Sequence, residues 1–268
     1  MRDGYRSDVR VYKPPPSLAS PLVVLIHGGG FCVGHNTQLA IYCRAIADLY
    51  GATFSFPTAP SDVWDSVQWL SSPQNAQSLD ANLSAGFVIG GVSAGANLAA
   101  VTAQKWMTET SRPLMTGVWL AMPYLLEEDI VPATHKDIWF SRKQNSEALI
   151  LNQDAIDYIT AAYKQDIRSP DFSPFNVKGA HRGLPPVYFQ VCGQDPLRDD
   201  GLVYERVLRE NGVTTRLDLY PGVPHSYWDV FDTLKLSRRA RMDIIKGLGW
   251  LLGKEEPLDE DCLNALSL

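Results

Sequence analysis

The chain has 268 residues, 45% hydrophobic and 20% charged, the balance of a soluble globular protein able to bury one sizeable core. A formal net charge of -6 argues against nucleic-acid binding, which depends on clustered cations, and points to a small-molecule partner. No apolar run reaches the roughly 20 residues of a membrane span, and Met1-Arg2-Asp3-Gly4 lacks a signal-peptide pattern. A cytoplasmic protein with no stable membrane insertion is expected.

Short β-branched and aromatic runs alternate with helical patterns along the chain, as in a parallel sheet with crossover helices. Residues 8–12 read as an early strand, closed by Lys13-Pro14-Pro15-Pro16. Leu22 to Ile26 is a continuous apolar run, as expected of a strand covered on both faces, and it ends in His27-Gly28-Gly29-Gly30. Residues 39–50 follow as a helix and 52–56 as a strand. Ser61 begins a helix carrying Val63, Trp64, Val67 and Leu70 at three- and four-residue spacing.

Residues 87–90 form the next buried strand, followed by a helix after Ser93 that runs through Leu98, Val101 and Trp106. Residues 116–122 are a strand. From Tyr124 to Arg182 the pattern becomes acidic and irregular, with one clear helix at 153–163. This stretch reads as a cap insertion at 124–182, placed over the carboxyl ends of the strands, with the core at 1–123 and 183–268. Strands at 185–192 and 215–220 flank a helix at 199–210. A last helix spans 232–252, and the acidic tail to Leu268 is expected to be mobile.

Cys32, Cys43, Cys192 and Cys262 are widely spaced, with no C-x-x-C pair and only His35 near any of them. Reduced thiols are expected rather than a structural zinc site.

Three motifs carry chemistry. Gly91-Val92-Ser93-Ala94-Gly95 is weak alone, since roughly one chain in ten this long would hold Gly-x-Ser-x-Gly by composition. Its place between the apolar strand and a helical pattern gives it weight, because a nucleophile elbow is a strand–turn–helix. A plain small-residue turn is the bland alternative. His27-Gly28-Gly29-Gly30-Phe31 ends another buried strand, where glycines let a loop turn its N–H groups inward. The N–H groups of Gly28, Gly29 and Ala94 are the candidate oxyanion donors. A phosphate cradle would need the Lys-Ser/Thr that this loop lacks. His27 is read as orienting the loop by hydrogen bonding.

His35, His135, His181 and His225 remain as candidate bases. Only His225, in Pro224-His225-Ser226-Tyr227, follows a strand late in the chain. The matching acid is Asp195 in Gly193-Gln194-Asp195-Pro196-Leu197, also directly after a buried strand. Asp199 and Asp200 are read as capping the helix that begins there. The chain order Ser93, Asp195, His225 is that of the α/β-hydrolase fold.

On these residues the chain resembles the hormone-sensitive-lipase-type branch of the α/β-hydrolases, carboxylesterases with an extended His-Gly-Gly-Gly oxyanion motif. The similarity runs from Arg2-Asp3-Gly4 to the final helix, through Gly34, Gly91 to Asn97, Ser173-Pro174, Leu184-Pro185-Pro186, Asp195 to Asp199 and Pro221-Gly222. The resemblance implies a mostly parallel central sheet flanked by helices, with a cap between late strands. It also implies hydrolysis of short- to medium-chain acyl esters without a cofactor or metal, through a triad of Ser93, Asp195 and His225. Thioesters, lactones and amides suit the same machinery, as does acyl transfer to an alcohol. A rival reading is a non-catalytic receptor on this scaffold, but such receptors lack the base histidine that His225 supplies. An exposed edge strand would allow a homodimer.

Three departures stand out. Val92 replaces the aspartate usual before the nucleophile, and Ser226-Tyr227 stands where Gly-Phe is usual. Family members also carry a Tyr-Arg-Leu-Ala-Pro-Glu stretch before the helix at Ser61, whereas Ser55-Phe56-Pro57 here runs almost straight into Ala59-Pro60. Phe31, Tyr124, Trp139, Phe140, Tyr227 and Trp228 are candidates for lining the pocket or for packing the core.

Overall fold

The computed structural model describes residues 9–14, 20–50, 53–55, 60–109, 112–179 and 181–267, with 53–55 described by backbone alone. Among them, β1 (Leu22–Ile26), β2 (Thr53–Ser55), β3 (Phe87–Val92), β4 (Gly117–Ala121), β5 (Val187–Cys192) and β6 (Thr215–Tyr220) form one sheet. The order is β2-β1-β3-β4-β5-β6, and every neighbouring pair is parallel.

The period-two geometry of a strand sends alternate residues to opposite faces, so a doubly covered strand must be apolar throughout. Val23, Leu25, Val88, Trp119 and Tyr188 belong to one core, with Tyr42 and Ile46 of α1 (Ala40–Tyr50). Leu22, Val24, Phe87, Ile89, Val118 and Phe189 belong to the other. That second core is closed by Val63, Val67 and Leu70 of α2 (Pro60–Ser71) and by Ala99, Ala103 and Trp106 of α4 (Ala94–Thr108). Between α2 and α4 lies the short α3 (Pro73–Ser78).

The segment between β4 and β5 breaks the alternation. It holds α5 (Ser141–Gln144), α6 (Gln153–Tyr163) and three short 3-10 turns. Side chains of α4 fasten it down: Asn97 Nδ2 donates to Tyr124 O and Phe172 O, both at 2.6 Å, and Gln104 Nε2 donates to Pro174 O at 3.0 Å. After β5 comes α7 (Arg198–Glu210), and after β6 come α8 (Tyr227–Val230) and α9 (Lys235–Leu251).

Three expectations need correction. Of the early strand at 8–12, Asp8 lies outside the described residues, and only Tyr12 of the remainder makes a bridge. The acidic tail is a helix, α10 (Asp259–Leu266), with Cys262 and Ala265 buried in the same core as α1 and α9. Its acidic appearance comes from Asp259, Glu260 and Asp261 in the first turn, where negative charge favours a helix. Lys246 of α9 holds Asp259 at 2.7 Å. The final helix begins at Lys235 rather than at 232, with α8 split off before it. The shortened connection at 56–59 lies outside the described residues. Among the described residues no helix is long and apolar enough to cross a membrane.

Candidate active site

Parallel strands bring their carboxyl ends to one edge of the sheet, and the loops leaving those ends gather there. The loop after β1 brings His27 to Gly30, the turn after β3 brings Ser93, the loop after β5 brings Asp195, and the loop after β6 brings His225.

Ser93 has φ 57° and ψ -120°, a left-handed conformation that a non-glycine residue holds only under constraint. The constraint is visible. Ser93 N donates to Ala121 O at 2.8 Å, and α4 starts at once with Ala94. At Gly95 an added Cβ would lie 2.2 Å from Ile26 O, so β1 and α4 touch backbone to backbone. Crowding thus excludes side chains and turns the Ser93 side chain out of the sheet. Ser93 is 9% exposed, and its hydroxyl makes no hydrogen bond among the described residues.

Asp195 is fully buried, with Oδ2 2.7 Å from His225 Nδ1. Its Oδ1 accepts from Leu197 N at 2.8 Å, so both oxygens are held. With Nδ1 committed, Nε2 is the ring nitrogen of His225 left for other chemistry. Asn145 Nδ2 donates to Asp195 O at 3.0 Å, fixing the acid's backbone from the inserted segment.

The glycine loop is held by its own histidine. His27 Nδ1 lies 2.7 Å from Gly28 O, and Gly34 packs on the imidazole so closely that a Cβ would come within 2.3 Å. Gly29, at φ 123°, turns the loop back, with its carbonyl accepting from Cys32 N and Val33 N. The N–H groups of Gly28 and Gly29 are not spent on any acceptor among the described residues.

These parts share one cavity of about 380 Å³, lined by Gly28, Gly29, Gly30, Val92, Ser93 and His225. Its other walls are Cys32, Val33, Gln38 and Leu39, the residues Ile150, Leu151, Ala155, Tyr158 and Ile159 around α6, and Ser226 with Asp229. The other histidines lie elsewhere. His35 is exposed and pairs with Thr37 Oγ1, His135 is buried in a turn of the insert, and His181 packs against Phe175 and Tyr204. Burial lowers the pKa of His181. None of the three forms an ion pair with a carboxylate among the described residues.

None of the six candidate aromatics lines this cavity. Tyr227 and Trp228 are fully buried in the core, and Phe31 stacks on Tyr163 at 4.3 Å. Trp139 and Phe140 face a separate hollow beside Arg142. The cavity wall is instead mostly aliphatic, with Tyr158, Gln38, Ser226 and Asp229 of α8 among its polar members.

Asp199 and Asp200 do not cap α7. Asp199 Oδ2 accepts from Phe140 N at 2.7 Å and Ser141 N at 2.6 Å. Asp200 accepts from Leu125 N, Leu126 N and Trp139 Nε1, and pairs with Arg142 at 3.1 Å. The two carboxylates therefore fasten the insert to the helix that follows Asp195. Burial outweighs Arg142 and these donors at Asp200, pushing its carboxyl up to about 6.

The four thiols are free; Cys32 is exposed and the other three are buried.

A model of the alpha/beta hydrolase fold matches residues 23–229. An AB hydrolase superfamily protein of Schizosaccharomyces pombe is 32% identical over 97% of this chain and 80% of its own length. A versiconal hemiacetal acetate esterase of Dothistroma septosporum is 29% identical over 87% of this chain and 74% of its own. The solved structure of a vibralactone cyclase superposes with a TM-score of 0.87 at 30% identity, covering 94% of this chain and 78% of that one. The chain belongs to the α/β-hydrolase family, in its hormone-sensitive-lipase-like branch.

Proposed function

We propose that the protein is a serine carboxylesterase acting on short- to medium-chain acyl esters. The observation that carries this reading is the buried 2.7 Å contact between His225 Nδ1 and Asp195 Oδ2, in one site with Ser93 and the glycine loop. Ser93 Oγ attacks the ester carbonyl while His225 Nε2 takes its proton, and Asp195 stabilises the imidazolium. The N–H groups of Gly28, Gly29 and Ala94 hold the oxyanion, each worth about 3 kcal/mol in the transition state. His225 then protonates the departing alcohol. In the second half it draws a proton from water, which attacks the acyl-enzyme and releases the acid. The segment 124–182 is read as the cap over this site, since α6 contributes to its wall.

The similarity to an acetate esterase supports ester hydrolysis. The similarity to a vibralactone cyclase favours a second reading, in which a hydroxyl rather than water takes the acyl group from Ser93. Hydrolysis of p-nitrophenyl esters from acetate to palmitate, by wild type and Ser93→Ala in parallel, tests the first. Serine-dependent release of nitrophenol is expected, with His225→Ala equally inactive and His35→Ala retaining most of the rate. Turnover that survives Ser93→Ala would sink the assignment. Mass analysis of products with an added alcohol separates the readings, because transfer yields a new ester and hydrolysis only the acid.

A further inference from the structure

The cavity around Ser93 receives chemically different walls from different elements. The region around α6 supplies Ile150, Leu151, Ala155 and Ile159, which suit a hydrocarbon acyl chain. The segment that carries the base supplies Ser226 and Asp229. In acyl transfer the base must lie beside the leaving oxygen, because it gives that oxygen its proton. Groups carried next to His225 therefore face the alcohol portion of the ester.

Asp229 brings a negative charge to that end. Its carboxylate makes no close hydrogen bond and no ion pair among the described residues. The Tyr42 hydroxyl faces it as a hydrogen-bonding neighbour and the Arg241 guanidinium acts on it electrostatically, but neither closes a short contact or ion pair with it. The Tyr42 hydroxyl is buried without a hydrogen-bond partner, and Arg241 Nη2 donates instead to Trp228 O at 2.6 Å. Gln38, in the turn before α1, also lines the cavity; its Oε1 accepts from His35 N. A carboxylate that is exposed within a binding cavity and has no close ion pair among the described residues is complementary to a cation.

Resting on the esterase reading, we propose that Asp229 recognises the alcohol portion of the substrate, and that the preferred esters carry a positive charge there. The overall charge of -6 acts in the same direction by drawing cationic substrates toward the protein.

The test compares two acetate esters of nearly equal shape, one of 2-(trimethylammonio)ethanol and one of 3,3-dimethylbutanol, which differ in charge alone. Wild type is expected to favour the cationic ester in kcat/KM by roughly fivefold or more, the size of one charge pair in a partly solvated cleft. Asp229→Asn should bring the ratio near one, and Asp229→Lys should invert it. Equal turnover of the two esters by wild type overturns the proposal, as does a preference that survives in Asp229→Asn. Failure of wild type to hydrolyse either acetate or any p-nitrophenyl ester removes the esterase reading itself, and this inference with it.

Discussion

Ser226 donates its backbone N–H to Met122 Sδ at 3.0 Å, joining the residue after His225 to the residue after β4. Both hold left-handed backbone, at φ 49° and 47°. Met122 N donates in turn to Gln190 O of β5 at 2.8 Å, so the loop carrying His225 is tied to the sheet through a thioether. Met122→Leu keeps the volume and removes the acceptor. It should lower kcat for p-nitrophenyl acetate severalfold with little change in KM, since the loss of a weak hydrogen bond loosens the His225 loop without touching the cavity wall. An unchanged kcat would mean that the sulfur only fills space.

Ser226→Gly tests the strain at the same position. A non-glycine residue in left-handed backbone costs roughly 1–2 kcal/mol, while glycine loses roughly 0.5–1 kcal/mol of extra chain entropy on folding. The variant should gain roughly 0.5–1 kcal/mol, visible as a thermal midpoint about 2 °C higher. A lower midpoint would show that the serine hydroxyl contributes something that its hydrogen bonds do not reveal.

Asp200 is the anchor whose loss should be felt most. Replacing it with alanine strands the Leu125 and Leu126 N–H groups and the Trp139 indole, and leaves the guanidinium of Arg142 buried without its counterion. Breaking one side of such a pair typically costs about 3–5 kcal/mol. Urea unfolding of Asp200→Ala should show a loss of that order. The double variant Asp200→Leu with Arg142→Met should recover part of it, because no unpaired charge remains. Equal losses in the single and double variants would place the energy in the backbone contacts alone.

How much of this was legible in the sequence depends on how far apart the partners lie. The strand Leu22–Ile26 and the motifs at Gly28, Ser93, Asp195 and His225 are local patterns that stand out in a few adjacent residues, and the structure brings the four motifs to one edge of the sheet. Asp199 and Asp200 also look local, at the start of a helix, which is why capping was the natural reading. Their actual partners, Phe140, Ser141, Leu125, Leu126 and Trp139, lie 58 to 75 residues away, where no periodicity points. Tyr227 and Trp228 illustrate the same gap. An aromatic beside a candidate base looks like a pocket wall, but α8 turns both into the core and presents Asp229 to the cavity instead. That reversal follows from helical spacing once α8 is known to be a helix.

Cys32 offers a chemical probe of the cavity. It is the exposed thiol and lines the same space as Ser93. Burial raises the thiols of Cys43 and Cys192 well above the usual range and that of Cys262 to about 11. The thiolate is the reactive form, so N-ethylmaleimide at pH 7.5 should label the native protein at Cys32 alone. The adduct should block most ester turnover, and Cys32→Ser should be resistant. Intact mass spectrometry showing more than one label, or full activity after single labelling, would contradict this placement.

The pH dependence of substrate choice should report Asp229 directly. Desolvation by its surroundings pushes its carboxyl up to about 6, against the opposing influence of Arg241 from α9, Tyr42 from α1 and His225 from its own loop. The carboxylate is therefore charged above that pH and neutral below it. Either ester alone would also report every other group that titrates in the site, so its profile is ambiguous. The ratio of kcat/KM for the cationic and neutral acetates cancels any titration that affects both substrates equally. That ratio should be high and constant above pH 7, and should fall toward one with a midpoint near 6 as the Asp229 carboxylate takes up its proton. In Asp229→Asn the ratio should be flat across the same range. A flat wild-type ratio from pH 5 to 8 would mean that Asp229 does not meet the substrate, whatever its place in the cavity wall.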